Sequence, residues 1–210
     1  LNSKDEKDKN EEAGENEVKL DDDAAKAVNV PGAGSVKETD VNVATKTIDA
    51  SGMTGNVELA MTAANLATLV STGSGDDKVT VNISTGNLTA NATVAGGAGD
   101  DTLVLTGVNT IQYSQSGFET IELGAGDKTI SLKNTEDLAN IIVNKAANAA
   151  NTLASAGAID LAVSIQGANS TGASLVSDHS GATTITVDTP TKAGTSTTND
   201  TDATLSKSTS

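Results

Sequence analysis

The sequence predicts an all-β fold, a parallel β-helix or β-roll (solenoid) in which short strands stack rung upon rung, and three observations carry that prediction. The first is a recurring unit in which a turn precedes an aliphatic anchor: "SGMTGNVEL" (51 to 59), "TGSGDDKVT" (72 to 80), "GGAGDDTLV" (96 to 104), "LGAGDKTIS" (123 to 131), "ANAANTLAS" (147 to 155) and, more loosely, "STGASLVSD" (170 to 178). The anchors are Val57, Val79, Leu103, Ile130, Leu153 and Leu175. Their numbers rise by 22, 24, 27, 23 and 22, so rungs of roughly 22–27 residues are expected, a period that marks solenoids. The second is the character of the segments between turns. "KVTVNI" (78 to 83), "NLTANATV" (87 to 94), "DTLVLTG" (101 to 107), "ETIEL" (119 to 123) and "KTISL" (128 to 132) are short, alternating or β-branched, and bounded by Gly, Asn and Asp, as strands are. The third is the composition of the core. Hydrophobic residues make up 36% of the chain, but the aromatics are only Tyr113 and Phe118. A thick globular core is thereby excluded, whereas stacked repeats bury a slender interior that Val, Leu, Ile and Ala can fill.

The ends have a different composition. Residues 1–23 hold ten acidic residues and four lysines with few apolar ones, which reads as a solvated, disordered arm or linker. Residues 191–210, "TKAGTSTTNDTDATLSKSTS", offer little to bury and read as a flexible Thr/Ser-rich tail or linker. The solenoid is therefore expected over 24–190. Leu1 opens the chain without an initiating Met or an apolar leader, which reads as a piece of something longer.

One segment carries two signals. "NTEDLANIIVNKAANAAN" (134 to 151) has Asn134 as an N-cap and apolar residues at 138, 141, 142, 146 and 149, which fits a helix. Yet "LANIIVN" (138 to 144) parallels "LATLVST" (66 to 72) at a separation of three units, and on that parallel the segment is taken as strand.

Charge and composition exclude several function classes. The net charge is −15 and all 13 basic residues are lysines, so the forked arginine contacts that read phosphates and guanines are absent, and no nucleic-acid partner is expected. Cys is absent, which removes disulfides and thiolate metal sites, and no apolar run is long enough to span a bilayer. An acidic chain rich in Thr, Ser, Ala, Asn and Gly reads as a secreted, extracellular surface protein. His179 is the single histidine, which removes His-based metal clusters and Ser-His-Asp triads. Asp49, Asp160 and Asp188 sit in or beside strand-like segments and read as loop or ladder residues. No enzyme activity is expected.

The repeated "GDD" loops offer chemistry. A phosphate loop would follow its glycines with Lys-Ser/Thr and a helix, but here they lead into paired aspartates and a strand. An ordinary turn would account for one copy; it accounts less well for "GSGDD" and "GAGDD" one unit apart. "GGAGDDTLV" resembles the RTX calcium-binding nonapeptide (G-G-x-G-x-D-x-U-x, U aliphatic) at every defined position, and "TGSGDDKVT" departs only at the first Gly. The resemblance implies Ca2+ as cofactor. On it, Gly73, Gly75, Gly97 and Gly99 turn the loops and present backbone carbonyls, Asp77 and Asp101 supply sixth-position carboxylates, and Asp76 and Asp100, at the fifth, are secondary ligand candidates. Calcium suits such a site because it takes six to eight oxygens in flexible geometry. Asp127 occupies the fifth position of "LGAGDKTIS", where Lys128 stands in place of the sixth-position Asp. If that copy stacks on the others, its ammonium closes the row of ions; if its 27-residue spacing has put the loop out of register, Lys128 points to solvent.

RTX rolls repeat every nine residues, whereas here whole strands interrupt the motifs. The chain is more similar to bacterial S-layer proteins with RTX-like loops, through "TIDASGMTGNVEL" (47 to 59) and "GFETIELGAGD" (117 to 127). That likeness implies a calcium-stabilised, self-assembling structural module at the cell surface, with calcium ions, further copies in a lattice and a cell-surface glycan anchor as partners. A calcium-binding solenoid of a large RTX-type adhesin or exported toxin is the alternative. From another class, a polysaccharide-active β-helix enzyme would be expected to present a carboxylate-lined groove, often with aromatic platforms, and two aromatics supply little of that.

Overall fold

The computed structural model describes residues 15–17, 27–38, 46–61, 67–82, 88–107, 109–111, 114–126, 128–131, 137–144, 150–157, 161–166, 174–179, 183–188 and 204–207. These residues form a β-solenoid. One nine-stranded sheet runs along it in the order β1 (Glu15–Glu17), β3 (Ser35–Glu38), β5 (Val57–Met61), β7 (Lys78–Asn82), β9 (Thr102–Thr106), β12 (Thr120–Leu123), β14 (Asn140–Val143), β16 (Leu161–Gln166) and β18 (Thr183–Asp188). A second sheet follows the first half of the chain, with β2 (Ala27–Asn29), β4 (Thr47–Asp49), β6 (Ala67–Ser71), β8 (Leu88–Ala95) and β11 (Ser114–Ser116). A third follows the second half, with β10 (Asn109–Ile111), β13 (Lys128–Ser131), β15 (Ala150–Gly157), β17 (Ser174–His179) and β19 (Thr204–Lys207). Every pairing between these strands is parallel. Parallel neighbours require the chain to travel round before returning, and here the return passes through another sheet of the same stack.

The register fixes the rung. Leu59, Val79, Leu103, Ile121, Ile141, Val163 and Ile185 stand opposite one another along the long sheet. The shortest step in this column is from Leu103 to Ile121 and the longest from Val79 to Leu103, so the rungs run shorter than the sequence period suggests. Val57 lies two residues before this column, and Ile130, Leu153 and Leu175 belong to the third sheet, where Leu175 pairs with Asn151 rather than with Leu153. The anchors chosen from sequence were therefore not one column. Turn glycines recur on both sides of the solenoid, and aligning on them crosses from one sheet to another.

Side chains of the long sheet alternate inward and outward. Strand β5 is buried at its first, third and fifth residues, and β12 at Ile121 and Leu123. Inward columns from the long sheet (Leu59, Val79, Leu103, Ile121, Ile141) meet columns from the second (Ile48, Val70, Val94) in one aliphatic core cluster. Each fully buried Val, Leu or Ile contributes roughly 1.5–3 kcal/mol over its exposed state, so a core one or two side chains wide suffices when it is long.

The 134–151 segment supplies strand β14 and the start of β15. The parallel with 66 to 72 is overturned, because β14 lies in the long sheet and β6 in the second. Within the acidic stretch, β1 pairs with β3, and within the Thr/Ser-rich tail, β19 pairs with β17. The remainder of both end segments lies outside the described residues. Among the described residues no helix is long and apolar enough to cross a membrane.

The change of partner sheet falls in one rung, where β9, β10 and β11 belong to the first, third and second sheets in turn. Strand β11 ends the second sheet, and its Gln115 continues the column of Ile48, Val70 and Val94. Gln115 is 3% exposed, and neither Nε2 nor Oε1 has a hydrogen-bond partner. A buried polar group left unsatisfied costs about 1–3 kcal/mol. Gln115→Leu is therefore expected to stabilise the fold by about that amount, read as a higher denaturation midpoint at unchanged slope. A lower midpoint would show that the amide makes a contact the apolar column cannot replace.

Candidate functional site

At one edge of the long sheet the turns entering successive strands stack. Backbone bonds join them: Thr54 N donates to Gly32 O (2.9 Å), Ser74 N to Met53 O (3.0 Å) and Ala98 N to Gly73 O (3.0 Å). Gly73, Gly75, Gly97 and Gly99 all lie in this stack, against the backbone of the rung before. Each is glycine because a side chain would meet that backbone; the hypothetical Cβ of Gly75, for instance, would stand 2.6 Å from the Gly55 carbonyl carbon. The stack begins earlier than the sequence reading placed it, at "PGAG" (31 to 34), whose paired glycines have the same spacing as Gly73/Gly75.

The aspartates form two ladders. The inner one occupies the register position Val57, Asp77, Asp101, Glu119. Asp77 Oδ1 accepts from Val57 N (2.7 Å) and its Oδ2 from Gly73 N (2.9 Å). Asp101 Oδ1 accepts from Asp77 N (2.7 Å), and Glu119 Oε2 accepts from Asp101 N (2.8 Å). Each carboxylate thus caps the amide of the rung before it. Asp77 and Asp101 are 2% and 1% exposed. The outer ladder runs the other way: Asp76 N donates to Asn56 Oδ1 (3.0 Å) and Asp100 N to Asp76 Oδ1 (3.0 Å), all three residues being exposed.

The reading that stacks Lys128 on the aspartate loops is overturned, and the loop is out of their register. Lys128 opens β13 in the third sheet, opposite Asn109 and Asn151, and so is not in the aspartate column. The long step from Leu103 to Ile130 had already carried the motif round the solenoid to another face, and Glu119 takes the next place in the column. Asp127 lies outside the described residues. Glu119 was missed because "SGFE" (116 to 119) lacks the second glycine and the aspartate; its position four residues before the aliphatic Leu123 of "ETIEL" was the available signal. Asp49, read as a loop or ladder residue, accepts from Ser51 N (3.1 Å), Ser51 Oγ (2.6 Å) and Ser71 Oγ (3.2 Å). These bonds hold its carboxyl below the ordinary value, the Ser51 hydroxyl foremost.

Burial shifts the inner aspartates the other way. Asp77 is raised by burial, against hydrogen bonds from Val57 N and Gly73 N. Asp101 is pushed up to about 6 by burial, opposed by the Asp77 N–H bond and reinforced by the charges of Asp77, Glu119 and Asp76. The folded chain therefore holds a proton on Asp101 in a range, from the ordinary 3.8 to about 6, where the unfolded chain does not. By linkage this contribution to stability is fully present below the unfolded value and is lost as pH rises through the folded one. In chelator, the melting temperature of the wild type is expected to rise between about pH 7 and about pH 5, and the rise should be smaller in Asp101→Asn. Equal rises would place the effect on other carboxylates.

Of the four inner aspartate oxygens, three accept backbone N–H groups and one, Asp101 Oδ2, is buried without a partner. A Cβ on Gly96 would stand 2.7 Å from Asp101 Oδ2 and 2.0 Å from Gly117 O, so this carboxylate oxygen and a carbonyl oxygen both pack closely on Gly96, where only glycine fits. Thr72 Oγ1 donates to Gly96 O from the rung below. Among the described residues no three acidic or histidine side chains are placed to hold a metal ion by themselves. A cation here would draw on main-chain carbonyls as well as Asp101, a mixed oxygen shell that calcium accepts.

No family model, curated protein or solved structure matches this chain. The functional reading therefore rests on the loops and their geometry.

Proposed function

We propose that this chain is a structural module of a secreted bacterial surface layer, a self-assembling solenoid stiffened by calcium at its stacked glycine-aspartate loops. One observation above others supports the reading. "GGAGDD" lies directly on "TGSGDD", one rung apart, and in the upper loop a buried carboxylate oxygen, Asp101 Oδ2, lacks any donor. A chain of net charge −15 with stacked carboxylates is self-repelling, and a divalent cation offsets that where a lysine does not reach. The described ion pairs, Lys37 with Glu58 (2.9 Å) and Lys78 with Glu122 (4.0 Å), join residues on the strands of the long sheet.

The test is thermal unfolding in chelator and in millimolar calcium, with light scattering and electron microscopy on the same samples. An ion bound only to the folded state adds RT ln(1 + [L]/Kd), about 2.7 kcal/mol at a hundredfold excess over Kd, so calcium is expected to raise the melting temperature. Ordered sheets or filaments should appear with it. Identical melts would remove calcium from the proposal. A shifted melt with persistently dispersed chains would favour the adhesin or toxin module.

A further inference from the structure

The two aspartate loops share four of six residues, "TGSGDD" and "GGAGDD", yet their backbones differ. Gly73 and Gly75 keep ordinary φ values, whereas Gly97 and Gly99 are left-handed at 103° and 136°. In loop 72–77, Gly73 N donates to Asp77 Oδ2 at 2.9 Å, and Val57 N takes the other oxygen. Both oxygens are thereby used. In loop 96–101, the equivalent Gly97 does not make that bond. Asp101 Oδ1 is held by Asp77 N, while Asp101 Oδ2 is buried and without a donor. The first loop is closed on itself and the second is open.

We infer that the two calcium sites the repeated motif implies reduce to one: loop 96–101 takes the cation at Asp101 Oδ2, while Asp77 is a positioning residue whose own loop is closed by backbone. This inference rests on the calcium reading above and gives it a stoichiometry and a location. A cation on Asp77 would have to displace the Gly73 or Val57 N–H, leaving a buried donor without an acceptor. A cation on Asp101 Oδ2 breaks no hydrogen bond there. It meets an unused oxygen, and Gly117 O, like Oδ2, packs against Gly96. Asp77 acts through its amide, which fixes Asp101 Oδ1 and leaves Oδ2 as the oxygen without a donor. Glu119, accepting Asp101 N, fixes the same residue from the other side.

The deciding experiment titrates the full wild-type chain with calcium chloride, by calorimetry for the stoichiometry and by amide NMR for the place. One ion per chain is expected, with the largest shifts at Gly96, Gly97, Asp101 and Gly117 and small ones at Gly73 and Val57. Asp101→Asn should weaken binding at least tenfold, checked to be folded by circular dichroism. Two ions, or shifts at Gly73 as large as at Gly97, would overturn the inference and leave the calcium reading standing. No binding at all would remove the calcium reading itself. Should Asp101→Asn not fold, the wild-type stoichiometry and shift pattern decide alone.

Discussion

Replacing Phe118 by alanine is expected to cost about 3–5 kcal/mol, the usual range for a fully buried phenylalanine, and so to be among the most damaging single changes in the chain. Phe118 is 0% exposed and is the largest fully buried side chain described. Its place explains its size. Between Gly97 and Asp101 lie three residues, all exposed, whereas between their counterparts Gly117 and Glu119 lies Phe118 alone, turned inward into the core. The shortened turn thus fills the interior at the rung where the second sheet ends. No other phenylalanine exists to compensate, and the neighbouring Val, Leu and Ile side chains are fixed in their columns by register, so the cavity would collapse poorly. Urea titration of Phe118→Ala against wild type should show a lower midpoint at unchanged slope. A loss below about 1 kcal/mol would mean that the site closes around the smaller side chain. Phe118→Leu should fall between the two.

Gly97→Ala is expected to be comparably severe for a different reason. The backbone at Gly97 has φ of 103°, and a Cβ there would stand 1.9 Å from Gly73 O. Strained backbone costs of order 1–3 kcal/mol and forced overpacking typically a further 1–3 kcal/mol, giving about 2–6 kcal/mol together. The obstacle is a carbonyl of the rung below, itself bonded to Ala98 N at 3.0 Å, so it cannot swing aside without opening the stack. Gly52→Ala is the control. Its Cβ would make only an ordinary contact, 3.5 Å from Pro31 Cβ, and removing chain entropy from the unfolded state should leave stability unchanged or raised by about 0.4–1 kcal/mol. Equal losses in the two variants would refute the argument from rung contact.

The fold class was legible because its causes are local and repeated: short β-branched strands, glycine turns and too few aromatics for a thick core. The register was not. In a solenoid whose turns on opposite faces all use Gly, Asn and Asp, motif similarity does not say which face a turn belongs to, and "LGAGDKTIS" matched the aspartate loops while its strand joined the third sheet. Rung length also varied, from the short step between Leu103 and Ile121 to the long one between Val79 and Leu103, so no fixed step could expose the error. That Asp77 and Asp101 share a column was readable, since each stands two residues before the aliphatic residue of its strand after the same Gly-x-Gly turn. What could not be read was that Asp77 and Asp101 differ. That difference lies in the φ of Gly97 against Gly73, a property of how one turn settles upon another. Glu119 was hidden for a simpler reason, that its loop is two residues shorter and keeps the carboxylate while losing the motif.

The inner ladder also sets an order of events. Val57 N is capped by Asp77, Asp77 N by Asp101 and Asp101 N by Glu119, so each turn is completed by a residue one full circuit further along the chain. A polypeptide emerging with its N-terminus first can cap the amide that ends each loop only after the following loop has emerged. The assembled part would trail the growing end by one circuit throughout, and a chain halted partway would be left with a frayed last turn whose amides await a carboxylate not yet made.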